Sequence, residues 1–280
     1  MGKKIVVTGA GGYIGRYVVS ALCDSGAEVT AVTRSEKEID SRADILVKDI
    51  FQMADPYEET GRPDVCIHLA WQDGFVHNSA AHMGKLSDHY TFISRMIESG
   101  LKQLVVMGTM HEVGYFEGAI CEDTPCNPIS MYGIAKDALR KACFLLAKQK
   151  GVCLQWVRAY YILGDDSHNH SIFTKIGEAE KQGKEFFPLN SGKNKYDFID
   201  VKELGEQIAA TAMQTEVAGV INCCSGKPVS LGEKVEEYIA EHGYKIKPKY
   251  GIFPDRPYDS PAIWGDSEKI DTIMKNKPQD

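Results

Sequence analysis

Through roughly the first 160 residues, short apolar runs alternate with longer segments whose apolar positions recur every three to four residues. The short runs suit strands buried on both faces, and the longer period suits helices laid across them. Strands are predicted at 4–8, 28–33, 45–47, 65–69, 104–107 and 153–158, with helices at 13–25, 82–99 and 134–150 and a short one after Asp49. Repeated strand–helix units build a parallel sheet, so the predicted class is α/β, a doubly wound parallel sheet.

After Arg158 the pattern changes. Residues 165–170 are polar, and 181–195 are rich in Gly, Lys and Pro, as exposed loops are. A helix near 201–213 and a strand at 217–224 resume the core pattern, whereas 247–280 carries five of the eleven prolines and predicts a loop-rich lid with a final helix near 267–275. The expected division is therefore a core domain of 1–164 and about 197–225, and a smaller, partly discontinuous C-terminal substrate lobe of about 165–196 and 226–280.

Composition narrows the function. With 280 residues, 43% hydrophobic and 25% charged, the chain can bury a full core without metal or disulfide staples. A formal net charge of −7 disfavours nucleic acid and anionic membranes as partners. The start of the chain runs straight into a strand with no apolar leader, so a cytoplasmic location is expected. The eight cysteines are scattered and predict reduced thiols, and no Cys/His spacing predicts a metal site. His168, His170, His77 and His82 are expected on loops or helix surfaces.

Candidate chemistry begins at Thr8-Gly9-Ala10-Gly11-Gly12-Tyr13-Ile14-Gly15. Glycines at 9, 12 and 15 follow a strand and open a helix, the context in which a backbone turn receives a dinucleotide pyrophosphate on a helix N-terminus. The second strand ends in Arg34 and Ser35 with no carboxylate, which suits a 2′-phosphate and favours NADP over NAD; Arg34 as a solvated loop charge is the other reading. Asp49, after the third strand, is placed to touch the adenine or to stand on the surface.

Tyr132 and Lys136 lie four residues apart at the start of a helix and so share one face. A neighbouring ammonium favours the phenolate, which makes Tyr132 a candidate proton donor and acceptor. Thr109, at the carboxyl end of the fifth strand, should face the same cleft and hydrogen-bond the reacting oxygen.

These stretches together resemble the extended short-chain dehydrogenases/reductases, in the branch of nucleotide-sugar epimerases, dehydratases and reductases. The resemblance runs nearly end to end, through His68-Leu69-Ala70, Thr109 to Gly114, Tyr132 to Lys136, 196–201, 220–222 and 256–259. It implies a Rossmann fold, a Thr109–Tyr132–Lys136 triad, cofactor contacts at Ile50, Leu69 and Ala70 besides those above, and a grip of Arg256 on a nucleotide diphosphate. It also implies a homodimer paired through the helix that bears Tyr132. The departures are Tyr161 where an Asn is usual, Tyr196 with Lys195 beside it where an Arg is usual, and His111 where dehydratases carry an acid. Tyr161, Lys195 and His111 are therefore substrate-side candidates, with His111 as a loop-capping residue the alternative.

The reaction expected is reduction of a nucleotide-linked keto sugar, a 4-keto-6-deoxyhexose, with hydride from NADPH and a proton from Tyr132. A nucleotide-sugar 4-epimerase with tightly held NAD is the second reading. A non-catalytic dinucleotide-binding regulatory protein is the third.

Overall fold

The computed structural model describes residues 2–35, 38–164, 169, 171–255 and 259–276. Seven strands form its main sheet: β1 (Lys4–Thr8), β2 (Glu28–Thr33), β3 (Asp44–Val47), β4 (Val65–His68), β5 (Gln103–Thr109), β6 (Cys153–Ala159) and β7 (Gly219–Cys223). They run parallel in the order β3-β2-β1-β4-β5-β6-β7, so the chain winds outward from β1 in both directions. This is the doubly wound sheet that the apolar pattern predicts.

Strand alternation sorts the core into two layers. Ile5, Val7, Ile67, Val105, Val157 and Ile221 pack on one face against helices α1 (Gly15–Asp24) and α4 (Val201–Met213). Val6, Cys66, Leu104, Val106 and Trp156 point to the other, where α2 (Leu86–Glu98) and α3 (Met131–Lys150) lie. Buried strands need apolar residues on both faces, which is why their sequences read as continuous runs rather than alternating ones. The Ser130 hydroxyl accepts from the Gly133 N–H to start α3, and Gly151 ends it in the left-handed region at φ 66°.

A second sheet sits beyond the carboxyl ends of these strands. Its order is Pro228–Ser230, Lys195–Asp200, Ala262–Gly265 and Gly118–Ile120, with Tyr161–Leu163 paired to the far half of Lys195–Asp200. Helices Ile172–Lys181 and Leu231–Glu241 share a small core of Phe173, Ile176, Val235 and Ile246. Several segments expected to be loops are ordered. Phe186–Pro188 pairs with Lys247–Lys249, and Ala262–Gly265 is an inner strand. Helix Glu268–Lys275 falls where the tail predicted one and sends Ile270 and Ile273 into the core of the main sheet. No helix among the described residues is long and apolar enough to cross a membrane.

Candidate active site

The glycine turn lies between β1 and α1. Gly9 has φ +71°, and a Cβ there would stand 2.7 Å from the Ala70 nitrogen; one on Gly15 would stand 2.2 Å from the Gly9 carbonyl oxygen. Among the described residues no side chain caps α1, and its first turn holds no acid. The N-terminus thus presents backbone donors and positive dipole to open space, which fits a pyrophosphate.

From this turn a cavity of about 1870 Å³ runs along the carboxyl edge of the sheet to the second sheet. Gly9, Gly12, Tyr13, Ile14, Gly15, Arg34, Ser35, Asp49, Ile50, Leu69 and Ala70 line one end; Thr109, His111, Tyr132, Lys136 and Tyr161 line it farther on. Asp49 also caps the short helix Ile50–Gln52 by accepting from the Phe51 N–H. Arg34 and Ser35 are exposed. Lys195 is exposed and does not line the cavity: along its strand Tyr196 and Phe198 do, because alternate residues face opposite ways. Arg256, His168 and His170 lie outside the described residues.

Thr109, Tyr132 and Lys136 converge. The Thr109 hydroxyl beside the Tyr132 phenol favours its ionised form, but burial outweighs this and holds the phenol above its ordinary range. Lys136 Nζ donates to the Met107 carbonyl at 2.7 Å and stands 6.0 Å from the centre of the Tyr132 ring. Burial draws its ammonium down to about 7, although Glu112 opposes the shift. The start of α3 is fastened to the loop after β4, since the Tyr132 N–H donates to the His77 carbonyl at 2.9 Å and the Met131 N–H to Asn78 Oδ1 at 3.2 Å.

Histidines, two of them expected on loops or surfaces, and Trp71, which sequence patterning overlooked, complete the walls. His77 stacks against Tyr132 (5.8 Å, 14°) and lies 4.3 Å from His111, centre to centre. Burial holds His111 down to about 4 and lowers His77 as well, so both are neutral hydrogen-bonding rings at neutral pH. His82, expected on a surface, is buried: it accepts from Trp71 Nε1 at 3.0 Å and turns its other nitrogen to the Val76 carbonyl. Lys136 Nζ lies 3.7 Å over the Trp71 ring. Trp71 follows His68-Leu69-Ala70 at a strand end facing the cleft, which was the available signal.

Beneath the site lies a buried ionic cluster. Glu112 accepts from the Thr109 N–H and Trp156 Nε1, both at 2.8 Å, and from Arg158 Nε at 3.1 Å, with Arg140 Nε 3.4 Å away. Arg158 is fully buried there, which removes it from any diphosphate grip. The cavity wall on that side is instead aromatic, with Tyr161 and Tyr196 ring centres 4.3 Å apart.

A parallel doubly wound sheet, a glycine turn at a helix N-terminus, and a Thr–Tyr–Lys group at the far end of one cleft define a dinucleotide-dependent oxidoreductase. The family model described as the NAD dependent epimerase/dehydratase family matches residues 5–224, and the chain belongs to that family. It is 49% identical to a dTDP-6-deoxy-L-talose 4-dehydrogenase (NAD(+)) of Aggregatibacter actinomycetemcomitans, over 94% of this chain and 99% of the relative. A dTDP-6-deoxy-L-talose 4-dehydrogenase (NAD(P)(+)) of Kitasatospora kifunensis is 24% identical over 86% of this chain and 79% of its own. Among solved structures, a UDP-glucose 4-epimerase with UDP-glucose from Thermotoga maritima superposes with a TM-score of 0.80 at 22% identity, covering 96% and 91% of the two chains, a likeness of fold.

Proposed function

We propose that the protein interconverts a 4-hydroxyl and a 4-keto group on a dTDP-linked 6-deoxyhexose, with dTDP-6-deoxy-L-talose and its 4-keto counterpart as the pair. The observation that carries this reading is the near full-length 49% identity to a dehydrogenase of that name, in a chain that places Thr109, Tyr132 and Lys136 together at the end of β5. Gly9, Gly12 and Gly15 at the N-terminus of α1 would hold a nicotinamide dinucleotide, which when bound would supply or accept the hydride. Tyr132 gives its proton to the sugar oxygen in reduction and recovers it in oxidation. Thr109 donates a hydrogen bond to the developing oxyanion, and Lys136 stabilises the phenolate electrostatically. The neutral His77 and His111 rings and the aromatic Tyr161–Tyr196 wall suit a sugar with a polar rim and an apolar methyl group.

For the cofactor we infer use of both NAD and NADP. The (NAD(+)) relative supports the first; Arg34, exposed on the cavity rim, supports acceptance of a 2′-phosphate. A homodimer through α3 is supported by the exposed stripe of Ile134, Ala138 and Leu145.

The test is direct. Purified protein given dTDP-6-deoxy-L-talose and NAD or NADP should generate absorbance at 340 nm with one equivalent of 4-keto sugar. Interconversion of two nucleotide hexoses without net cofactor reduction would assign it instead to the epimerases, whose fold it shares.

A further inference from the structure

Buried cations ordinarily have a carboxylate partner. Among the described residues Lys136 has none: its only close contacts for the ammonium are the Met107 carbonyl at 2.7 Å and the face of Trp71 at 3.7 Å from the ring centre. An indole is the strongest of the side-chain π-faces for a cation, and its attraction grows where water is excluded.

The indole is itself fixed. Its Nε1 can only donate, so the bond to His82 Nδ1 at 3.0 Å makes that nitrogen the acceptor and leaves His82 Nε2–H to donate to the Val76 carbonyl at 2.9 Å. The ring also stacks on His89 (4.4 Å, 19°), which is hydrogen-bonded to His68 at 2.9 Å, and His68 in turn to Thr8 at 2.9 Å. A restrained ring with an ammonium over its face is a seat rather than a chance contact.

We propose that Trp71 is a positioning residue for Lys136, its indole face holding the ammonium beside Tyr132 in the role a carboxylate takes elsewhere. The proposal rests on the reading that Lys136 serves Tyr132 in proton transfer, but its test does not depend on the substrate. The groups facing Lys136 are Glu112 beyond β5, Cys143 on its own helix, Tyr132, and His68 and His89 from β4 and α2. Burial keeps both histidines neutral, so they oppose the ammonium only weakly, and Glu112 and Cys143 favour it. Removing the ring therefore leaves burial less opposed, and the ammonium should lose its proton at lower pH.

The experiment is NMR on cofactor-free protein with ¹³Cε-labelled lysine, Lys136 being assigned by its loss in Lys136→Arg. In the wild type the Lys136 ε-protons should be shifted upfield by the indole ring current. In Trp71→Leu that shift should vanish and the titration midpoint fall by about one pH unit. Trp71→Phe keeps a π-face but lacks the N–H, and should restore most of both. An unshifted Lys136 resonance in the wild type overturns the proposal, whatever the variants do. So does a Trp71→Leu protein that titrates as the wild type, or a Phe variant no better than Leu. Failure of the sugar assay alone would sink the functional reading and leave these results standing.

Discussion

Two buried cations flank the same strand end and are handled in opposite ways. Arg158 is fully enclosed and pairs with the enclosed carboxylate of Glu112, which also takes hydrogen bonds from Thr109 and Trp156. Lys136, equally enclosed, is given a carbonyl and an aromatic face but, among the described residues, no carboxylate. The first arrangement pairs the guanidinium with a hydrogen-bonded carboxylate and so ties β5, β6 and, through Arg140, α3 to one another. The second leaves an ammonium poised near neutrality, able to respond to a phenol and a ligand. Placing the rigid pair directly beneath the poised one lets the fold tolerate an under-compensated charge at the site.

The largest effects should come from breaking the poised side. Tyr132→Phe removes the proton donor, and Lys136→Met the charge that favours its phenolate; each should lower kcat by about 10²- to 10⁴-fold. The proteins should stay folded, and the Met variant should melt no lower than the wild type, since a desolvated ammonium has been deleted. Steady-state kinetics with a parallel melting curve checks both statements. Wild-type turnover in Tyr132→Phe would remove that residue from the mechanism.

The rigid side should fail differently. Arg158→Met leaves the Glu112 carboxylate buried with one fewer partner and should cost about 3–5 kcal/mol of stability by urea denaturation. The double change Glu112→Met with Arg158→Met should recover part of this. It should recover less of the turnover, because the Thr109 N–H loses its acceptor at 2.8 Å. Equal stability loss in Lys136→Met and Arg158→Met would erase the distinction between the two cations.

A pH series sharpens the contrast further. Lys136 titrates at about 7 in the folded protein against 10.5 unfolded. Between these values the unfolded chain holds a proton that the folded one has released, so stability from this group rises with pH across that window. Below pH 7 both states are protonated and the burial penalty is at its full size. The stability advantage of Lys136→Met over wild type should accordingly shrink between pH 7 and 10, on the order of a few kcal/mol. An advantage that stays constant over that range would place the ammonium in contact with solvent.

What could be read in advance follows from how far apart the partners lie in the chain. The glycine turn and the Tyr132–Lys136 pair are each set by one local element, so spacing alone exposed them. The inner strands of the main sheet were legible for the same reason, being buried on both faces, and the exposed edge strand β3 by its short apolar run. Trp71 meets Lys136 only because β4 lies beside β5, and Glu112 meets Arg158 across two strands; no local period records either contact. Helix Leu231–Glu241 carries two local signals, the Ser230–Glu233 capping box and a stripe of Leu231, Val235, Tyr238 and Ile239 that packs in the smaller core, and the prolines that follow it in the tail masked both. Lys195 illustrates the opposite failure: a charge beside the right position, on the wrong face of its strand.

Arg34 supplies the exposed counterpart to both buried cations. It stands on the cavity rim at the end of β2, and among the described residues it makes no ion pair. Water already solvates it, so it contributes little to folding, and removing it should leave the melting temperature unchanged. Its worth appears only when a 2′-phosphate arrives, as a charge-assisted hydrogen bond partly screened by solvent. Arg34→Ser should therefore raise the KM for NADP by about tenfold, a loss of about 1.4 kcal/mol, while moving that for NAD by less than about twofold. The effect should fade as salt is raised, unlike anything done to Arg158. Parallel losses for both cofactors would mean that Arg34 shapes the adenosine pocket as a whole and does not read the phosphate.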